Sequence, residues 1–353
     1  MVSRMRCGCC ALPPRLLQHV AAKAAEPHRP RIAEHHAASA TIRSLRRARA
    51  DEVAAAPPPA RAAARGRRTV FDAGGKEKLP GRLVRREGAP PVADAAVNQA
   101  YENVGITLAF FSEVFGRDSL DGRGMKVDAS VHYGDRFSNA MWTGREMIFG
   151  DGDGIHILGF AQSLDIVAHE LAHAVTQHSV RGGLGERRRG GKIALAGDAG
   201  ALDESFSDVF ATLVKQWHTG EDVRRADWLV GEGVLAPHIG RAVRSLKEPG
   251  NPRVTYEADD QPRDMRGYVP GGDVHTNSGI PNHAFYLAAR ALGGRAWEHA
   301  GPIWYRALHA LKPRATFRDA AQATIAAAAE LFGARSKERG AVERAWRQVH
   351  VLP

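Results

Sequence analysis

The chain has 353 residues, enough to bury a sizeable core as two lobes with an extension. It carries 49 Lys and Arg against 39 Asp and Glu, but the excess is local: residues 1–68 hold 14 basic and 4 acidic side chains, and the remainder holds 35 of each. A body without net charge gives no basis for nucleic-acid binding, and no apolar run approaches the ~18 residues that span a bilayer, so no membrane partner is expected.

Residues 1–68 are rich in Ala, Arg and Pro, with Pro57-Pro58-Pro59 and an Arg-rich stretch from Arg61 to Arg68. That composition predicts a largely extended or disordered leader. It reads either as a removable segment or as a basic tail that touches an acidic partner or nucleic acid. All three cysteines, Cys7, Cys9 and Cys10, lie in it, so no disulfide stabilises the body. Met1 to Val20 lacks the apolar centre of a cleavable secretory signal.

From Arg67 to about Leu164, alternating runs such as 126–133 and 145–149 read as strands, with one helix over Ala95 to Phe115. Helical patterning dominates beyond: two helices around 164–175 and 200–213, then Asn282 to Leu292, Ala300 to Leu311, Phe317 to Phe332 and Glu338 to Val349. The expected class is α+β, divided as leader 1–68, mixed α/β lobe 69–164 and mainly helical lobe 165–353. The Gly- and Arg-rich stretch 182–200, with Arg187-Arg188-Arg189, reads as a mobile loop at the rim of a cleft between the lobes.

His169-Glu170-Leu171-Ala172-His173 carries the chemistry. On a helix, positions i and i+4 share one face, so both rings can bind one zinc ion through nitrogens at roughly 2.0–2.1 Å. Glu170 falls beside such an ion, where a carboxylate can take the proton of a metal-bound water. Ser163 offers an N-cap, and Leu164, Ile166, Val167, Leu171, Ala172 and Val175 make the helix apolar on most sides. Imidazoles and an acid on a buried helix are costly unless something binds them. A catalytic zinc takes a third protein ligand; Glu204, on the helix carrying Leu202, Phe206, Val209 and Phe210, is expected to supply it. Asp208, one turn on, is placed to accept the remaining N–H of His169 and set its tautomer. The metzincin pattern needs Gly and His three and six residues after the second histidine; Thr176 and Ser179 stand there, which excludes that class.

Four segments in order resemble the thermolysin-like neutral metallopeptidases (peptidase family M4): Ser138-Asn139-Ala140-Met141-Trp142 with 149–154, the HExxH helix, Asp203-Glu204-Ser205-Phe206-Ser207-Asp208, and Val274-His275-Thr276-Asn277-Ser278-Gly279-Ile280. The similarity runs from about Arg68 to the C-terminus. It implies a two-lobed zinc endopeptidase with one catalytic zinc, acting on proteins and peptides as a monomer. Asn139 and Ala140 resemble the edge-strand pair that binds a substrate backbone, Arg244 the arginine that binds a substrate carbonyl, and His275 the imidazole that stabilises an oxyanion. Ile157, Phe160, Ile166 and Val243 match positions lining an apolar pocket for the residue after the scissile bond. Asp165, Asp227 and Glu232 match ligands of a structural calcium, but Lys215 and Leu229 fall where two further carboxylates belong, so one calcium or none is expected.

Residues 10–20 resemble the short precursor segment of the protealysin-like branch, which implies a self-removed propeptide cut around Arg61 to Arg68, with a leader thiolate a candidate to silence the zinc. Family members generally act outside the cell; without a recognisable signal, the cytoplasm is the alternative. Three departures stand out. Leu195 replaces an oxyanion-binding tyrosine. Pro270 replaces the aspartate that orients the oxyanion histidine, leaving Asp273 to do so from another angle. Asp203 replaces an asparagine beside the zinc-binding glutamate, and is still able to accept from His173. Leu195 and Pro270 also motivate a rival reading, a protein that binds zinc and peptides without cutting them.

Overall fold

The computed structural model describes residues 11–24, 35, 67–180, 183–187, 193–194 and 197–353. Cys7, Cys9, Cys10, Leu195, Arg188, Arg189 and the stretch from Arg61 to residue 66 lie outside these.

Within the leader, the described segment 11–24 departs from the expected extended form. Pro14–Lys23 is a helix (α1), begun by a proline whose fixed φ suits the first turn. Leu16, Leu17 and Val20 are at most 1% exposed and join the main core. Burying each such side chain is worth roughly 1.5–3 kcal/mol, a tertiary gain that Ala-, Arg- and Pro-rich composition does not reveal.

The N-terminal lobe is a five-stranded mixed sheet ordered β2-β1-β3-β5-β4: β1 Arg68–Asp72, β2 Arg82–Arg86, β3 Val127–Val131, β4 Ala140–Trp142 and β5 Met147–Phe149. β1, β3 and β5 run parallel, while β2 and β4 are antiparallel edges. Helix α2, Ala95–Phe115, starts where the Asp94 carboxylate accepts from the amides of Ala96 and Val97, and stops at left-handed Gly116. It packs on the sheet and on the central helix α3, Leu164–Ser179. Ser163 precedes α3, but its hydroxyl bonds Asp165 instead of capping the backbone.

A short hairpin pairs β6, Glu186–Arg187, with β7, Ile193–Ala194. Helix α4, Gly197–Thr219, follows, so the expected rim loop ends earlier than 200. α4 lies along α3 in the most extensive helix pairing of the molecule. Strands β8, Leu229–Val230, and β9, Arg244–Ser245, pair antiparallel. Helices α5 Val274–Asn277, α6 Gly279–Leu292, α7 Ala300–Leu308, α8 Phe317–Phe332 and α9 Lys337–Gln348 complete the C-terminal lobe. α8 starts with a Thr316–Asp319 capping box. Edge strand β4, the middle of α3, the start of α4 and α5 therefore border one cleft.

Candidate active site

The i, i+4 spacing on α3 brings His169 Nε2 and His173 Nε2 to 3.1 Å of one another. Packing of α4 against α3 places Glu204 Oε2 3.4 Å from His169 Nε2 and 3.9 Å from His173 Nε2. All three side chains are at most 1% exposed, and neither Glu204 oxygen receives a well-formed hydrogen bond from the described residues. A buried carboxylate without donors is costly. Burial alone would raise its pKa, yet His275, His173 and His169 hold Glu204 well below the usual carboxylate range. An anion ringed by imidazole nitrogens, with both its own oxygens unsatisfied, is what a zinc site of two His and one Glu needs.

The outer ring nitrogens are held in turn. Asp208 Oδ1 lies 2.8 Å from His169 Nδ1. His173 Nδ1 has Asp203 Oδ2 at 3.1 Å and Ser207 Oγ at 2.9 Å. Burial opposes a charged ring, but Asp208, then Glu204, outweigh it and lift His169 to about 9. Asp208, fully buried, is kept ionised by Arg244 and His169. Its second oxygen accepts from Asn282 Nδ2 at 2.9 Å. Ser207 and Asn282 were not anticipated. Ser207 sits four residues after Asp203 and so one helical turn above it, a signal legible in principle; Asn282 arrives from another helix, α6.

Glu170 also belongs to the cluster, its carboxylate within 4.8 Å of the donor atoms of both histidines. Its Oε2 accepts from the Trp142 amide at 2.8 Å, which fixes the carboxylate against β4. The unanticipated Trp142 contact thus separates the two glutamates: one is positioned by an amide, the other meets only the imidazoles. His275, on α5, points Nε2 at Glu204 from 3.4 Å, and its Nδ1 lies 2.8 Å from Asp273 Oδ1. The same oxygen accepts the His275 amide at 2.9 Å, capping α5. Gln261 Nε2 donates to the His275 carbonyl at 2.6 Å.

The leader lies in the cleft. Ala11 donates its amide to Ala140 O at 3.1 Å, and Leu12 donates to Asn139 Oδ1 at 3.0 Å. Arg244, with Nε on Asp208 at 3.0 Å, gives Nη1 to the Ala11 carbonyl at 3.3 Å. Its Nη2 has no acceptor among the described residues. Ile157, Phe160, Ile166 and Val243 are all at most 1% exposed and share the core cluster with Ala11 and Leu12. Gly231 joins two of them. Its φ is +70-odd, at 74°, and a Cβ there would meet Val243 Cγ2 at 2.5 Å and Ile166 Cδ1 at 3.3 Å, so only glycine allows the wall to close this tightly.

Asp165, Asp227 and Glu232 converge around a cation supplied by the chain. Lys215 Nζ lies 2.8 Å from Asp227, 3.6 Å from Asp165 and 3.9 Å from Glu232. Burial would lower the lysine pKa, but Asp165 and Asp227 outweigh it and raise it.

Comparison with known proteins agrees with this arrangement. The thermolysin metallopeptidase catalytic-domain profile matches residues 68–177, and the profile of its α-helical domain matches 192–351. An extracellular metalloprotease of Pectobacterium carotovorum is 43% identical over 301 residues, covering 82% of each chain. Protease PrtS of a Photorhabdus species is 40% identical over 297 residues, 80% of this chain and 76% of that one. The solved precursor of protealysin, a metalloproteinase from Serratia proteamaculans, superposes with a TM-score of 0.83 at 38% identity, over 98% of this chain and 100% of that one. The chain belongs to the thermolysin family of metallopeptidases, in its protealysin-like branch.

Proposed function

We propose that this metalloendopeptidase uses one zinc ion held by His169, His173 and Glu204, and is made as a precursor that removes its own leader. The observation that carries the reading is the buried Glu204 carboxylate, whose oxygens face imidazole nitrogens and receive no well-formed hydrogen bond from the described residues. Bound there, zinc supplies Lewis-acid polarisation and a water of lowered pKa.

The chain's own groups do the rest. Glu170, its Oε2 held by the Trp142 amide, accepts a proton from the attacking water. His275, turned by Asp273, presents Nε2 to the oxygen that gains negative charge. Arg244 holds the carbonyl of the residue after the scissile bond, and Asn139 and Ala140 pair with the substrate backbone as a sheet edge does. The pocket of Ile157, Phe160, Ile166 and Val243 takes a bulky apolar side chain. Each buried methylene adds only about 0.8 kcal/mol, so discrimination among Leu, Phe and Ile is loose.

The leader, residues 1–68, fills these same backbone sites and blocks them until it is cut; lobes 69–164 and 165–353 form the peptidase. Lys215 takes the place of a structural calcium, leaving zinc as the resident metal. The enzyme works on proteins and peptides as a monomer outside the cell, in keeping with its extracellular relative. No described helix is long and apolar enough to cross a membrane. Cleavage of a quenched peptide with Leu or Phe after the scissile bond, lost on zinc chelation and restored by zinc, tests the proposal; no cleavage by processed protein would leave a zinc-dependent peptide binder.

A further inference from the structure

Three observations beside the catalytic cluster meet on the segment from Tyr256 to Gln261. Leader residue Arg15 sets Nη1 2.7 Å from Asp260 Oδ2 and donates Nε to the Ala258 carbonyl at 3.0 Å. The other Asp260 oxygen accepts from Thr276 Oγ1 at 3.3 Å, from the helix that carries His275. Two turns further along α1, Lys23 meets Glu257 at 2.6 Å. Second, the cavity bordered by Pro13 and Arg15 is also lined by Arg244, His275, Asp259, Asp260 and Gln261, so it is continuous with the substrate groove. Third, Gln261, 6% exposed, lines the same cavity, and its Oε1 has no donor among the described residues. An acid and a backbone carbonyl engaged together by one side chain suit a guanidinium, which carries several donors and no acceptor.

We propose that once the leader departs, Asp260 and the Ala258 carbonyl, beside the cavity that Gln261 lines, form a distal subsite that selects a basic side chain five residues after the cleaved bond. The numbering follows the leader. Ala11, whose carbonyl Arg244 holds, stands first after the bond, which makes Arg15 fifth. This rests on the endopeptidase reading above. The substrate class is a cationic polypeptide able to turn into a helix there as α1 does, setting apolar residues where Leu16, Leu17 and Val20 now lie. The attraction is local, because residues 69–353 carry equal numbers of the two charges.

The full chain, expressed whole, left to process itself and titrated for active sites, is assayed on three quenched peptides. They share Leu after the cleaved bond and the leader's sequence from Leu12 to Val20, with Arg, Ala or Glu at the fifth position. The expected order of kcat/KM is Arg over Ala over Glu, each step about two- to five-fold, the range of a partly exposed ion pair. Asp260→Asn keeps an acceptor for Thr276 and is expected to level the three; Asp260→Glu keeps the preference. Salt near 1 M is expected to compress it, since the screening length falls to about 3 Å. Equal kcat/KM for Arg and Glu in the unaltered enzyme, or a preference that survives Asp260→Asn, overturns the subsite while leaving the peptidase standing. No chelator-sensitive cleavage of any of the three removes both.

Discussion

Leu12 and Asn139 are joined twice: the leader amide donates to Asn139 Oδ1 at 3.0 Å, and Asn139 Nδ2 reaches the Leu12 carbonyl at 3.5 Å. With the Ala11–Ala140 bond, these contacts lay the leader's Ala11 and Leu12 along the edge of the sheet, beside β4, much as an added peptide would lie. The Ala140 carbonyl, the Asn139 side chain and Arg244, the groups proposed to hold a substrate, are therefore already engaged. Leader and substrate must compete for the same groups.

If the chain cuts its own leader, removing the proton acceptor stops maturation as well as turnover. Glu170→Gln is expected to keep zinc, because His169, His173 and Glu204 remain, and to lose roughly 10²–10⁴ in kcat. Elemental analysis with intact-mass measurement checks both parts. A Glu170→Gln chain that loses its leader at the normal rate would show that another protease, or another base, does the cutting.

Asp273 performs two tasks that substitution can separate. It caps α5 through the His275 amide and orients the ring through Nδ1, both with one oxygen. Asp273→Ser retains a capping side chain and is expected to lower kcat by about 10- to 100-fold, the usual effect of losing a carboxylate behind a working histidine, with KM little changed. Asp273→Ala should add to that a loss of about 0.5–2 kcal/mol in stability from the missing cap. A Ser variant with full kcat would mean that the carboxylate only caps the helix.

The legible part of this site was whatever one helix determines. His169 and His173 share a helical face by spacing alone, with Glu170 between them, and Glu204 and Asp208 follow from the same spacing on α4, whereas Asp203 follows only from the family resemblance. Contacts made between elements were not legible: Trp142 reaches Glu170 across the lobes, Asn282 reaches Asp208 from α6, and Gln261 reaches His275 from a loop. The ends of α2 and α8 were readable from Asp94, Gly116 and Thr316, because caps are local. Helix α1 was not, since its stability comes from the groove it fills rather than from its own sequence.

His132 links α2 to the loop after β5. Its Nε2 lies 2.9 Å from Asp94, the α2 cap, and its Nδ1 2.9 Å from Asp151. Asp151 raises the ring's pKa most, burial opposes it, and with Asp94 the result is about 9. Because the folded value lies above the ordinary 6.5, this contribution is fully present below about pH 6.5 and is lost as pH rises through about 9. A thermal midpoint that falls across that window is expected, and His132→Asn should flatten the fall. Asn suits the left-handed backbone at this position, φ 54°. An identical slope in the variant would assign the alkaline loss to other groups.

Lys215 gives the chain its own counter-ion among the three acids expected to bind calcium. The ammonium is held by Asp227 and faces Asp165 and Glu232, with the Leu229 carbonyl at 3.5 Å. Lys215→Ala leaves those acids uncompensated in a mostly buried setting and is expected to cost roughly 1–3 kcal/mol. Lys215→Glu replaces the cation by another hard oxygen ligand. Its thermal midpoint should fall in calcium-free buffer and recover as calcium is added, by the linkage expected when a ligand binds only the folded state. The unaltered chain, with zinc kept constant, should show no calcium dependence across the same series. A midpoint of the unaltered chain that climbs with calcium would mean that Asp165, Asp227 and Glu232 bind the ion despite the lysine.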